Sequence, residues 1–145
     1  MLKQKNLLKI VLNIMTQENK ELLLQELSAR LPYGVKCISG VDNATLLIEG
    51  INPNCCGASE VQVTYEKSGI NFDTTMSAIK PYLFPLSSMT EEQSKIYHEL
   101  IHGMFGTNVL INLEELMNFF YKNHLDWKGL IPKGLAKDAT RLNIY

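Results

Sequence analysis

Leu23, Leu24, Leu27 and Leu31 recur at intervals of three and four, the period that gathers apolar side chains on one face of an α-helix. Thr16 precedes the run with a hydroxyl able to cap orphan amides, Glu18 sits in the first turn where the helix dipole favours an acid, and Pro32-Tyr33-Gly34 closes it. The pattern predicts an amphipathic helix over residues 16–30, docked by its leucine-rich face. From residue 35 to 74 the period falls to two and turn residues multiply, which signals short strands. Val61, Val63 and Tyr65 alternate with Gln62, Thr64 and Glu66, and Ser68-Gly69 can reverse the chain into Ile70 and Phe72, so a hairpin is expected there with Tyr65 and Phe72 as partners. Two earlier strands are expected over 35–39 and 44–49, joined at 40–43, with a loop at 52–57.

Pro81 and Pro85 bracket an apolar Tyr-Leu-Phe, which predicts an extended segment over 79–86 placed at a sheet edge or in a crossing connection. Thr90 and Gln93 form a capping box with two acids between them, opening a second helix that runs to Gly103 or Gly106. Asn112 with Glu115 suggests the cap of a third helix whose buried face is Leu113, Leu116, Met117 and Phe120, with Gly129 as terminator. The stretch 127–136 is apolar and rich in turn residues, and reads as an irregular tail laid against the core. The expected architecture is α+β: an N-terminal helix, a four- to five-stranded antiparallel meander curled over it, and two C-terminal helices closing the sheet around a single core.

At 145 residues the chain suits one domain, here residues 15–145. The first fourteen, MLKQKNLLKIVLNI, mimic a signal peptide, but Lys9 and Asn13 interrupt the apolar stretch, no small-residue cleavage site follows, and it is too short to span a bilayer. They are read as an N-terminal extension. Fourteen Lys and Arg against fifteen Asp and Glu leave a net charge of -1, without the basic surplus that drives nucleic-acid binding. Lys80 and the group Lys122, Lys128 and Lys133 are too scattered to change that expectation. Three cysteines, two of them the adjacent Cys55 and Cys56, fit a reducing cytoplasm better than a disulfide framework, and without a CxxC pair they are expected to fill loop or core.

Three stretches, MTQENKELLLQELSARLPYGVK at 15–36, IKPYLFPLSSMTEE at 79–92 and DWKGLIPKGLA at 126–136, cover about a third of the chain. In these the sequence resembles a family of uncharacterised small proteins encoded by gut bacteria and their phages. The resemblance implies a bacterial or phage origin and no particular activity. It begins at Met15, which suggests a natural start there, and the family pattern does not include HELIH at 98–102.

That pentapeptide carries the chemistry to be weighed. His98 and His102 one helical turn apart can grip zinc, and Glu99 could serve as general base for a zinc-bound water. A third ligand would have to come from Glu114, Glu115, His124 or Asp126, none at a diagnostic spacing. Ile96, Tyr97, Leu100, Ile101 and Met104 form the apolar stripe, so the histidines face away from the core, on a face shared with Glu91 and with Lys95, whose charge opposes a metal. A solvated face is therefore preferred to a metal site. His124 falls on the apolar side of the third helix and is expected as a core histidine with a hydrogen-bond partner. Trp127, Leu130, Ile131 and Leu135 are expected to pack the tail in preference to forming a partner patch. Neither a glycine elbow around Ser87 and Ser88 nor a glycine-rich phosphate loop is present. The sequence thus points to a non-enzymatic interaction or accessory protein, with no cofactor or membrane anchor and an unidentified protein partner. The rival is a zinc-dependent peptidase built on His98, Glu99 and His102.

Overall fold

In the computed structural model, which describes residues 15–52, 60–103 and 109–145, the chain opens with helix α1 (Gln17–Arg30). The Thr16 hydroxyl accepts the Asn19 N–H at 3.2 Å, so the expected cap is formed. Leu23 and Leu27 are wholly buried, each contributing about 1.5–3 kcal/mol. Glu26 and Arg30 are buried on the same side, which the leucine spacing alone does not announce. A 3-10 turn over Leu31–Tyr33 and a left-handed Gly34 (φ 75°) then redirect the chain into the sheet. The proposed extension at 1–14, and Cys55 and Cys56, lie outside the described residues.

Six strands follow: β1 (Lys36–Ser39), β2 (Thr45–Ile51), β3 (Val61–Tyr65), β4 (Asn71–Thr74), β5 (Ile79–Leu83) and β6 (Lys137–Asp138). Their order is β4-β3-β2-β1-β5-β6, antiparallel except for the last pair. The first four make the expected meander, and Tyr65 and Phe72 meet across the β3–β4 hairpin with ring centroids 4.9 Å apart. Two expectations are corrected. The tail contributes a sixth strand, and β5 is interior, between β1 and β6, although it carries Pro81. The reason is alternation along β1: Val35 bonds toward β2 and Gly40 toward the β5 side, so Cys37, opposite Pro81, also points at β2. The missing N–H of Pro81 therefore faces β6, whose pairing starts only at Tyr82.

Along the strands Cys37, Leu46, Ile48, Val61, Val63 and Ile79 point inward, where they join Leu23, Leu27, Leu130 and Leu135 in the main apolar cluster. The outer face carries Glu49, Gln62, Asn71, Asp73 and Lys80, all exposed. Trp127 and the tail residues Leu130, Ile131 and Leu135 pack as expected.

Helix α2 (Glu91–Gly103) starts with the full capping box: Gln93 N–H to the Thr90 hydroxyl at 3.1 Å, and Thr90 N–H to Gln93 Oε1 at 2.9 Å. Helix α3 (Val109–Lys122) begins before Asn112, which is therefore inside the helix instead of capping it. Among its described side chains Leu116, Phe119 and Phe120 are buried, while Leu113 is 40% exposed. The two helices do not close the sheet as expected. They pack on one another and gather a second apolar cluster with Leu125, Phe84, Leu86, Met89 and Trp127. Among the described residues no helix is long and apolar enough to cross a membrane.

Candidate functional site

The outer face of α2 holds the pentapeptide. No side chain from residue 91 to 102 is buried, and His98, Glu99 and His102 are exposed. Tyr97 and Leu100 turn inward against the second cluster, Tyr97 lying 5.9 Å from the Phe120 ring. Ile96 departs from the expected apolar stripe: at 40% exposure it lies on the solvent side, alongside Glu92, Lys95 and Glu99. Among the described residues Glu92, Lys95 and Glu99 make no ion pair.

The possible third ligands are elsewhere or already engaged. Glu114 and Glu115 are exposed on α3. Asp126 is buried, its two oxygens taken by the Leu130 N–H (2.7 Å) and the Ile131 N–H (2.9 Å), which pins the turn after α3. His124 stacks on Tyr145 at 3.6 Å between centroids. No group of three or more His, Cys, Asp or Glu suited to hold a metal occurs among the described residues.

A second concentration of polar groups sits where the two apolar clusters meet. Arg30, with no exposed surface, donates through Nε (3.3 Å) and Nη2 (3.0 Å) to Glu26 Oε2 and through Nη2 to the Leu125 carbonyl (2.7 Å), and its guanidinium lies 5.1 Å from the Tyr121 ring centroid. The cation thus ties α1 to the chain leaving the C-terminal end of α3, where the carbonyl ends favour positive charge. His124 is not the hydrogen-bonded core histidine expected. It adopts a left-handed φ of 55° after α3, and its buried Nδ1, like Arg30 Nη1 and Trp127 Nε1, has no hydrogen-bond partner. Burial, then the charges of Arg30 and Lys36, hold its imidazole down to about 4. On its other side the Tyr145 hydroxyl takes the Lys36 N–H (3.1 Å) and donates to the Tyr82 carbonyl (2.9 Å). It fills the ladder where β1 and β5 part beyond Cys37 and Pro81.

The spacing Leu23, Glu26, Leu27, Arg30 is itself a helical stripe with an i,i+4 ion pair, so this seam was open to a closer sequence reading; its tertiary partner Leu125 was not. Cys37 is a free, buried thiol pushed up to about 12 by burial, an inert core group.

No protein-family model matches the chain, and comparison with curated proteins and with solved structures returned no match.

Proposed function

We propose that this protein is a non-enzymatic interaction or accessory protein, of the bacterial or phage origin its resemblance implies, and that it makes contact through the outer face of α2. The observation that carries this reading is a thirteen-residue helix without a buried side chain from residue 91 to 102. Such a helix gains little from its own domain and keeps an apolar side chain, Ile96, among charges that make no ion pair among the described residues.

The stripe is self-complementary. When two copies of α2 are laid antiparallel about a two-fold axis near Tyr97, Lys95 comes opposite Glu99 of the other copy, Glu92 opposite His102, and the two Ile96 side chains meet near the axis. A second copy is therefore the partner the charges favour. One helix face gives a small, transient interface, under about 1,200 Å².

Sedimentation equilibrium over a range of concentrations tests this. Lys95→Glu or Glu99→Lys alone sets like charges across the axis and should abolish self-association, while the double swap should restore it. Monomeric behaviour of the parent at every concentration, or indifference to the single swaps, would reject it.

The zinc-peptidase reading of His98, Glu99 and His102 has no third ligand among the described residues to support it. A chelator should leave the melting temperature of the purified protein unchanged. A chelator-sensitive melt lost in His98→Ala, with one zinc per chain by elemental analysis, would reinstate the rival.

A further inference from the structure

The outer face of the sheet is divided by charge. At the β2–β3–β4 end, two depressions of about 360 and 280 Å³ are lined by Glu49 and Asp73 and by Asp73 respectively, with no cation among the described residues in either. At the β1–β5 end a smaller depression of about 220 Å³ reverses this: Lys80 and Lys137 line it and no carboxylate does.

Chain topology brings those lysines together. Lys80 pairs with Ile38 on β1 and shares its face with Tyr82 two residues on, and Tyr82 pairs with Lys137 from the distant tail strand. The far wall is closed by two turns in contact. Gly40 N–H bonds the Ala78 carbonyl at 2.7 Å, and a Cβ at Gly40 would lie 3.2 Å from that oxygen, so the absence of a side chain lets the wall close. Ile38 and Ala78 give the depression apolar surface, and Asn43 and Ser77 add neutral hydrogen-bonding groups.

The nearby acids are hydrogen-bonded to other groups, and Asp138 also interacts electrostatically with the adjacent Lys137. Asp42 accepts from the Tyr65 hydroxyl (2.9 Å) and the Ala44 N–H (3.2 Å), and Asp138 accepts from both N–H and hydroxyl of Thr140. Among the described residues neither Lys80 nor Lys137 is in an ion pair.

From this juxtaposition we infer that the depression between Lys80 and Lys137 binds the phosphate group of a small phosphate monoester. Two ammonium groups match a charge near -2, the state of a phosphate monoester at neutral pH. The volume lies below that of a cofactor pocket, roughly 300–1,000 Å³, so the ester group must be small, and the apolar surface asks for an apolar one. This inference is independent of the α2 contact.

The experiment is a backbone-amide NMR titration of the full chain with phenyl phosphate and, separately, with inorganic phosphate, at constant ionic strength. Saturable shifts should appear at residues 38–43, 77–80 and 137, with phenyl phosphate binding more tightly. Lys80→Gln and Lys137→Gln should each weaken binding about tenfold, and the double variant should lose it with its melting temperature unchanged, since both side chains are exposed. Equal affinity for the two probes would overturn the ester. Absence of saturation, shifts spread over Lys67, Lys128 and Lys133, or binding retained by the double variant would overturn the site.

Discussion

At the scale of single residues the Glu26–Arg30 pair is the most constrained feature. A buried ion pair adds little over a well-packed apolar pair, but removing one partner leaves the other charged and dry, at about 3–5 kcal/mol. Glu26→Gln should therefore lower the free energy of unfolding by an amount in that range, whereas Glu26→Leu with Arg30→Met should restore much of the loss; equal loss in both, measured in urea, would mean the charge is not what holds the seam. His124 is the second sensitive residue, because its imidazole titrates near 6.5 when unfolded and is held down to about 4 when folded. Between those values the unfolded chain carries a proton that the folded chain refuses, so stability present above pH 6.5 is lost as the pH falls toward 4 and levels off below. Discounted by about half for the ring's partial exposure, the loss is on the order of 1–2 kcal/mol. His124→Asn, which tolerates the left-handed backbone, should flatten that part of the curve. An unchanged slope would assign the acid sensitivity to other groups.

At the scale of elements, most of the fold was legible because its signals are local. The Thr16 cap, the Thr90–Gln93 box and the alternation of Val61, Val63 and Tyr65 each specify their own geometry. The errors came where a local signal has a non-local answer. Asn112 looks like a cap only if the helix start is unknown, and Pro81 looks like an edge residue only if its missing N–H is assumed to face a partner. The outward Ile96 was obscured because apolar periodicity selects a face without saying how much of it the neighbouring helix covers. The HELIH string was legible as letters, and the site it could build depended on residues that only the tertiary fold could have delivered. For the β3–β4 hairpin the two rings share the expected face, but the register sets Phe72 opposite Val63 and diagonal to Tyr65, and Phe72 is only partly buried. Phe72→Ala should cost about 2 kcal/mol, below the roughly 3–5 of a fully enclosed phenylalanine. Chemical denaturation measures it, and a change under about 0.5 kcal/mol would remove the pair from the core.

At the scale of the whole molecule, the single core expected from length and composition is two apolar clusters joined by a polar seam. Periodicity tells a helix which face to bury and is silent on what it is buried against, so the division was not visible in the sequence. The clusters are unequal. The sheet cluster encloses residues from α1, four strands and the tail, whereas the helical cluster rests on Leu116, Phe119, Phe120 and Leu125, with α2 contributing only partly covered side chains. Regions with few buried contacts open locally at lower free energy than the global transition. Amides of α2 should therefore exchange with solvent deuterium through openings that leave β1, β2 and β3 protected, and the gap should widen in Glu26→Gln, which loosens the seam without touching the sheet interior. Hydrogen exchange followed by mass spectrometry at several denaturant concentrations checks this. Protection in α2 equal to that of β2, converging on one global free energy in parent and variant alike, would show that the two clusters unfold as one body and that the seam couples them fully.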